Sequence, residues 1–381
     1  MAPSRTIDEA LLDDPDALAA ADRGETLRAL AGAGAQVRAA RTLAAEAGAP
    51  RVAEDGRPRA VVVSALGGSA VVADLLTALA GPGSPVPVMA VHSGTLPGWV
   101  SPLDLVVSVS VSGRAVGPLA ATAEAARRGC RLLTVGRAGS PLADVCTRAR
   151  GVHVPTPPEV RSSRVGLWAM AVPLLMAADA LGLVDAGAEV LDAVADRLDQ
   201  VAEAARPASE SFVNPAKSLA VDLAGSLPLV LGAGDLAGVA ALRAAAQLAR
   251  NARHPAVPGI LPDAAAEVVA TFDGPFARAT EDLFADPFEP GQQTALRLLL
   301  LRDSVDEEDP AVARVAEAVR DAATDGGVRV GQLRAEPGPP LARVASLVGL
   351  TDFASVYVAL GLGLDPATSP HVADLKERMS P

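Results

Sequence analysis

The sequence predicts an α/β protein with two parallel sheets, each flanked by helices on both faces in the doubly wound, Rossmann-like manner. Short apolar, β-branched segments alternate along the chain with helical patterns, as the strands and crossover helices of parallel sheets do. A strand followed by a glycine turn and a helix occurs twice, starting at Ala60 and at Leu227. The 381 residues suffice for two domains that each bury a core.

The elements of the first half follow from these patterns in chain order. Residues 8–47 have a helical pattern with a start near Asp14 and Pro15, and 48–58 form a linker rich in proline, glycine and charge. Helices separate the strands that follow, beginning with 70–80, and an apolar helix over 162–183 closes the unit. Five strands are predicted for the first sheet, at 60–64, 85–92, 105–111, 131–136 and 151–155.

The second half repeats this organisation after a helical connector at 190–207. Its strands are predicted at 227–234, 267–274, 294–303 and 327–333. Its helices are predicted over 238–253, from Pro310 onward and over 356–362. The chain thus divides into an N-terminal helical segment and linker at 1–58, a first domain at 59–185, a connector at 186–209, a second domain at 210–363 and a tail helix at 364–381.

Composition and charge exclude several classes of function. The formal net charge is −12, and only Lys217 and Lys376 among the 33 basic residues are lysines. No dense basic run is present, so we expect no nucleic-acid partner. The acidic N-terminus lacks the apolar core of a signal peptide. The most apolar stretch, Val165 to Ala178, is too short to span a membrane and contains Pro173. We therefore expect a cytoplasmic protein without a membrane partner.

Neither a metal nor an organic cofactor is indicated. Cys130 and Cys146 are the only thiols, and no CxxC or histidine-rich cluster occurs. The sequence GAGDLAG at 232–238 resembles a dinucleotide fingerprint, but its third glycine is misplaced and no acidic residue follows at the required distance. We therefore predict no cofactor.

Two turns rich in glycine and serine follow strands of the first predicted sheet. One is Gly67, Gly68 and Ser69, and the other runs from Ser110 through Ser112 and Gly113. Turns of this kind can meet at the carboxyl edge of a parallel sheet, where each following helix presents free N–H groups and a partial positive charge. Such an edge suits a phosphate ester. Alternatively, these are ordinary turns in which serine caps a helix.

The two turns also carry a family resemblance. GGSAVVADL at 67–75 and SVSVSGR at 108–114 resemble the phosphate loops of SIS (sugar isomerase) domains. NPAKSLA at 214–220, QLARNARHPA at 247–256 and the close DFASVYVALGLGLDP…LKERM at 352–379 extend the match. After about residue 50 the chain resembles the bifunctional phosphoglucose/phosphomannose isomerases, which carry two tandem SIS domains. The resemblance implies a hexose phosphate ligand and a homodimer whose site is shared between subunits.

Several positions of the family's site are retained and one loop is altered. The resemblance implies that Ser69, Ser110 and Ser112 hold the phosphate, and that Arg164 and Lys376 are active-site cations. For the two cations, ion-paired or surface positions are the alternative. Where the family's second loop continues Asn-Thr-Glu-Glu, this chain has Arg114-Ala115-Val116-Gly117. Arg114 either pairs with the anion in place of the lost threonine hydroxyl or points to solvent.

The family's proton-transfer groups are replaced. The motif Gln-Leu-Asn-Glu-Asn-Ala-Lys corresponds to residues 247–253, which places Arg250 where the catalytic glutamate stands. A guanidinium has no acceptor lone pair and stays protonated, so it cannot act as a base. The ring-opening histidine corresponds to Ala265 or a neighbour, while Glu267 is retained. His254 lies nearby, either as a substitute or as an ordinary helix-end residue.

These observations leave two functions open. The first is a hexose 6-phosphate isomerase of the phosphoglucose/phosphomannose type that uses another base, such as Glu267. The second is a non-catalytic protein that senses or carries a sugar phosphate or acts as an assembly partner. A SIS-type transcription regulator is disfavoured because no DNA-binding module precedes the first domain.

Overall fold

The computed structural model describes residues 6–277 and 295–378. Contacts divide the chain into two compact units. The first unit is residues 32–199 with the short segment 338–342, and the second unit is the rest of the chain. The second unit includes the N-terminal helices α1 (Glu9–Leu12), α2 (Pro15–Ala21) and α3 (Thr26–Ala31). These contact-based units divide the chain differently from the domains predicted at 59–185 and 210–363, which remain a prediction.

The first unit is built on a five-stranded parallel sheet in the order β2-β1-β3-β4-β5. The five strands are β1 (Val61–Ala65), β2 (Val88–Val91), β3 (Leu105–Ser110), β4 (Arg131–Gly136) and β5 (Val152–Pro155). The helices are α4 (Ala33–Ala47), α5 (Val71–Ala80), α6 (Val116–Arg127), α7 (Pro141–Arg148), α8 (Leu167–Ala180) and α9 (Ala188–Ala204), the last of which continues into the second unit. All five strands correspond to strands predicted from the sequence.

Helices cover both faces of the first sheet. Successive strand residues point to opposite faces, so Val62, Val106 and Leu132 share one face with Ala121 of α6 and Cys146 of α7. Helices α4 and α8 pack together and contact the sheet as well. Because both faces are covered, the strands are apolar almost throughout and β1, β3 and β4 are buried.

The second unit contains a four-stranded parallel sheet in the order β7-β6-β8-β9. Its strands are β6 (Leu227–Ala233), β7 (Val257–Leu261), β8 (Leu296–Arg302) and β9 (Arg329–Arg334). Its helices are α10 (Pro215–Leu223), α11 (Gly234–Asn251), α12 (Ala265–Ala270), α13 (Pro310–Asp325), α14 (Pro340–Gly361) and α15 (Pro370–Arg378). The two parallel sheets with flanking helices confirm the predicted fold class.

The strand predicted at 267–274 is wrong. This segment is α12 followed by a single 3-10 turn at Thr271–Asp273, and the strand lies earlier in the chain, at β7. Pro258 and Gly259 obscured β7 in the sequence. Proline is tolerated because β7 is an edge strand. Glycine is required because a Cβ at Gly259 would lie 2.7 Å from side-chain atoms of Leu231 and Ala264.

The continuous helical pattern at 8–47 is divided into α1 to α4. Two aspartates account for the first two of the three breaks. Asp14 caps α2, which begins with Pro15 as the sequence indicated. Asp22 accepts hydrogen bonds from the main-chain N–H groups of Thr26 and Leu27, at 2.9 and 2.8 Å, and so starts α3.

One helix in the described ranges is long and apolar enough to cross a membrane by length and composition. This helix is α14, and 94% of its most apolar window is buried inside the protein. It therefore serves as a core helix of the second unit.

Candidate functional site

The two glycine-serine turns of the first unit leave the sheet at the same edge. β1 and β3 are hydrogen-bonded parallel neighbours, with Ala65 opposite Val109. The chain passes from β1 to β2 on one side and then returns to β3 on the other, so this edge is the point where the strand order reverses. Ligands of open α/β sheets bind at such points.

Glycines allow neighbouring segments to pack closely at this edge. The side chain of Leu66 lies where a Cβ on Gly117, in the first turn of α6, would be. Across the same helix start, a Cβ at Gly94 would lie 3.1 Å from the Cα of Gly117. The segments that follow β1 and β2 therefore both contact the beginning of α6. Gly113 has a φ of 63°, and a Cβ there would overlap the side chain of Ser140, so glycine is required.

The helices that start at this edge present free N–H groups. Neither α5 nor α6 has a side-chain cap. By contrast, α7, which follows the neighbouring strand β4, is capped by the Ser140 hydroxyl. An uncapped helix start carries unsatisfied donors and a partial positive charge. Two such starts on adjacent strands form a cradle that is suited to an anion.

The three predicted serines differ in orientation. The Ser110 Oγ accepts from the Ala115 N–H at 3.4 Å, and the Ser112 Oγ accepts from the Arg114 N–H at 3.2 Å. Both hydroxyls therefore border the second turn. Ser69 is 6% exposed, and its hydroxyl donates to the Met170 sulfur of α8 at 3.3 Å. Ser69 would need to rotate its side chain to reach a ligand, and nothing in the local sequence indicated this orientation.

The two arginines predicted for the first unit lie at this edge in different settings. Arg114 is exposed at the start of α6, and the described residues include no carboxylate that forms an ion pair with it. Arg164 lies in the loop between β5 and α8 and is 8% exposed, with its N–H donating to the Ser162 hydroxyl at 3.2 Å. β5 is separated from β3 by β4, so the loop of Arg164 leaves the edge two strands away from the second turn.

Sequence reasoning missed an acid–base pair at this edge. Asp74 lies in the first turn of α5, and His92 follows β2 directly. The His92 Nε2 is 3.9 Å from the Asp74 Oδ1, with the two side chains 55% and 29% exposed. Burial raises the pKa of the Asp74 carboxyl, and the neighbouring His92 acts against this rise. The sequence signal was a histidine immediately after an apolar strand.

The remaining predicted residues belong to the second unit. Arg250 lies in the last turn of α11, where burial lowers its pKa and the charge of Arg243 lowers it further. Glu267 is exposed on α12 and lines an apolar cavity of about 510 Å³. Lys376 lies in α15, and its side chain is outside the described part of the chain.

The QLARNAR motif mainly joins α11 to α14. Asn251 donates to the Ser355 hydroxyl at 2.9 Å, and one turn earlier the Gln247 side chain hydrogen-bonds Asp352. His254 follows α11, and burial lowers its pKa, partly offset by a main-chain hydrogen bond with Ser226, which precedes β6. These contacts assign packing roles to Gln247 and Asn251. The described residues contain no group of three or more His, Cys, Asp or Glu that could bind a metal.

Comparison with known proteins agrees with the fold. Residues 212–379 match the model of the bacterial phospho-glucose isomerase C-terminal SIS domain. The chain is also 25% identical over 322 residues to the bifunctional phosphoglucose/phosphomannose isomerase of Caldicellulosiruptor bescii, covering 84% of this chain and 89% of that protein. The chain thus contains a SIS domain at 212–379 and resembles the bifunctional phosphoglucose/phosphomannose isomerases over most of its length.

Solved structures of the same architecture extend over most of the chain. A hypothetical protein from Thermus thermophilus superimposes with a TM-score of 0.68 at 17% identity, covering 97% of this chain and 94% of that one. The C-terminal domain of glucosamine-fructose-6-phosphate aminotransferase from Francisella tularensis gives 0.59 at 12% identity, covering 91% and 96%. At these identities the likeness shows the fold alone.

Proposed function

We propose that this SIS-domain protein binds the phosphate of a hexose 6-phosphate at the carboxyl edge of its first sheet. The observation that supports this most directly is the pair of uncapped helix starts, α5 and α6, which follow hydrogen-bonded neighbours β1 and β3. A phosphate dianion placed there accepts hydrogen bonds from main-chain N–H groups and is stabilised by both helix dipoles. Gly67 and Gly68 leave the backbone of the first turn accessible.

Arg114 supplies the positive charge of this proposed site. A cation at a helix N-terminus is repelled by the helix dipole unless an anion lies between them. Arg114 has this unfavourable position at the start of α6 and no ion pair among the described residues. Binding of a phosphate would remove the repulsion, and the planar guanidinium can donate two hydrogen bonds to one anion. In this protein, whose net charge is −12, such local donors must act against the overall field.

The binding proposal is tested by calorimetry and thermal unfolding with fructose 6-phosphate. Arg114→Gln should weaken binding about tenfold or more, since a charge-assisted hydrogen bond contributes roughly 1.5–3 kcal/mol. Arg28→Gln is the matched control, because Arg28 is an 82% exposed arginine of the second unit. Binding that is equally weakened in both variants would contradict the role of Arg114. No response of the unmodified protein to any sugar phosphate would contradict the site.

The reaction that fits the family is aldose–ketose isomerisation of hexose 6-phosphates. A second candidate, binding without turnover, is favoured by Arg250 at the position of the family's glutamate. A coupled assay for fructose 6-phosphate conversion separates the two. Turnover that is lost in Glu267→Ala would support Glu267 as base. Absence of turnover, combined with a shift in melting temperature on adding fructose 6-phosphate, would support binding without turnover. A gain of activity in Arg250→Glu would show that only the base was lost.

We also propose a cytoplasmic homodimer whose site is shared between subunits, as the family resemblance implies. Light scattering should then give twice the chain mass of 38.3 kDa. A monomer across the micromolar range would contradict a shared site.

A further inference from the structure

A histidine and an aspartate at the edge of the first sheet are not used by the phosphate-binding proposal. Asp74 lies one helical turn beyond the Gly67–Ser69 turn, on the same helix whose free N–H groups would face the phosphate. His92 follows β2, which is hydrogen-bonded to β1 on the side opposite β3. The two side chains therefore belong to the same edge as both phosphate turns.

The segment after His92 is held against the second phosphate turn. A Cβ at Gly94 would lie 3.1 Å from the Cα of Gly117 in α6, so the two backbones are in close contact. The Ser93 hydroxyl donates to the Thr95 carbonyl at 3.4 Å, which closes this short turn. The backbone that carries His92 is thus fixed next to the start of α6. An imidazole there is accessible to a ligand, because 55% of the His92 side chain is exposed.

The Asp74–His92 pair has the geometry of a base and the group that orients it. An imidazole next to a carboxylate can accept a proton because the carboxylate stabilises the resulting imidazolium. The 3.9 Å separation is longer than a hydrogen bond, as is common for catalytic groups before a substrate binds. A purely structural ion pair would gain little at this exposure.

We propose that His92, oriented by Asp74, is the acid–base residue of this site and moves a proton on the sugar part of a bound sugar phosphate. This inference rests on the phosphate site proposed above. In the open-chain aldose, His92 removes the proton from C2. The C–H electron pair then forms the C1–C2 double bond, and the π electron pair of the C1 carbonyl moves to O1. The imidazolium returns the proton to C1 while the O2 proton passes to O1, which gives the ketose and neutral His92.

Deuterium exchange tests this proposal independently of net isomerisation. The full chain is incubated with glucose 6-phosphate in D2O, and deuterium at C2 is followed by proton NMR. We expect exchange by the unmodified protein and a loss of roughly 10²–10⁴-fold in His92→Gln. His371→Gln is the matched control, since His371 is an exposed histidine of α15 in the second unit. Its exchange rate should remain unchanged.

Thermal unfolding with fructose 6-phosphate, run on the same samples, separates the two proposals. Loss of exchange in His92→Gln with the thermal shift retained supports His92 as the catalytic residue. Unchanged exchange in His92→Gln overturns it. Absence of exchange in the unmodified protein, with the thermal shift present, also overturns it and leaves the phosphate site intact. Absence of any thermal shift contradicts the phosphate site itself.

Asp74 acts through His92 as a positioning residue, so its replacement should affect rate more than binding. Asp74→Asn should lower the exchange rate and leave the concentration of half-saturation unchanged. Asp74→Glu, which keeps the charge, should recover part of the rate. If Asp74→Asn changes affinity and rate equally, or if Asp74→Glu recovers nothing while remaining folded, the positioning role is wrong.

Discussion

At the scale of single residues, Arg243 and Asp352 form a buried ion pair. The Arg243 Nε and Nη2 donate to the Asp352 carboxylate at 2.9 and 2.6 Å, and both side chains are less than 10% exposed. Burial raises the pKa of the Asp352 carboxyl, against the lowering effects of Arg243 and Gln247. The pair therefore holds α11 and α14 together only while both charges are present.

Removing one member of this pair should strongly destabilise the second unit. Asp352→Leu leaves a buried guanidinium without its carboxylate, which costs about 3–5 kcal/mol of unfolding free energy. The double variant Arg243→Met, Asp352→Leu should recover most of this loss, because no buried charge remains. Urea unfolding measures both.

The control for this experiment is the exposed pair of Arg320 and Asp321, with side chains 42% and 64% exposed. Asp321→Ala should change stability by less than about 1 kcal/mol. A loss in Asp352→Leu no larger than in Asp321→Ala would show that the buried pair is not required.

The sequence predicts the position of the two turns but not the orientation of every side chain in them. The pattern of Gly67–Ser69 and Ser110–Gly113 was sufficient to place both turns on one edge, because neighbouring parallel strands end together. It could not show that the Ser69 hydroxyl points to Met170, since a residue of a distant helix determines that rotamer. His92 was missed for a similar reason, because its partner Asp74 lies 18 positions earlier and only the fold brings them close.

At the scale of elements, helix α6 links the proposed phosphate site to a cluster of charges in its last turn. Glu124 accepts hydrogen bonds of 2.7 Å from the side chains of Arg127 and Arg128. These bonds lower the pKa of Glu124 to about 2. The arginines also favour the helix, because cations near a C-terminus are stabilised by the dipole.

This lowered pKa predicts a dependence of stability on pH. A carboxylate whose pKa is lower in the folded state binds more protons when unfolded, so its stabilising contribution is complete above pH 4.5 and is lost as the pH falls toward 2. The difference in melting temperature between the unmodified protein and Glu124→Gln should shrink over this range. Replacing Arg127 and Arg128 by glutamine should remove the pH dependence of that difference. A constant difference down to pH 2 would contradict the assignment.

Strands and helices were predicted correctly where the hydrophobic pattern was clear. The prediction failed where an edge strand interrupted that pattern. Buried central strands such as β3 and β4 are largely apolar segments that fit no other element as well. β7 contains Pro258 and Gly259, so its pattern was weaker than that of Val268 and Val269, which lie in α12. Residues 257–261 form a strand because they pair with β6, and the pairing partner of a strand cannot be identified from local sequence.

At the scale of the whole molecule, two parallel sheets of similar construction differ at their carboxyl edges. In the first sheet the turns after β1 and β3 lead to uncapped helices and an arginine without an ion pair among the described residues. In the second sheet β8 ends in the buried Arg302, whose guanidinium is paired with Glu308 and Glu317. The charge of Arg302 is thus already compensated by carboxylates of its own unit.

This difference predicts that a simple anion binds the first unit and leaves the second unaffected. Hydrogen exchange is measured by mass spectrometry with and without inorganic phosphate. Saturating phosphate should slow amide exchange in the peptides that contain residues 67–72 and 112–117, because a bound anion accepts hydrogen bonds from the N–H groups that begin α5 and α6. Amides at the end of β8 and the start of α13 should exchange at the same rate in both samples.

The variant Gly113→Ala tests whether phosphate binds at the carboxyl edge of the first sheet. At a φ of 63° an alanine is strained, and its Cβ would overlap the Ser140 side chain, so the second turn must move. Phosphate should then no longer protect residues 112–117. Gly83→Ala is the control, because Gly83 has open space around it and lies away from both turns. Protection that persists in Gly113→Ala, or that extends to β8, would place the anion elsewhere.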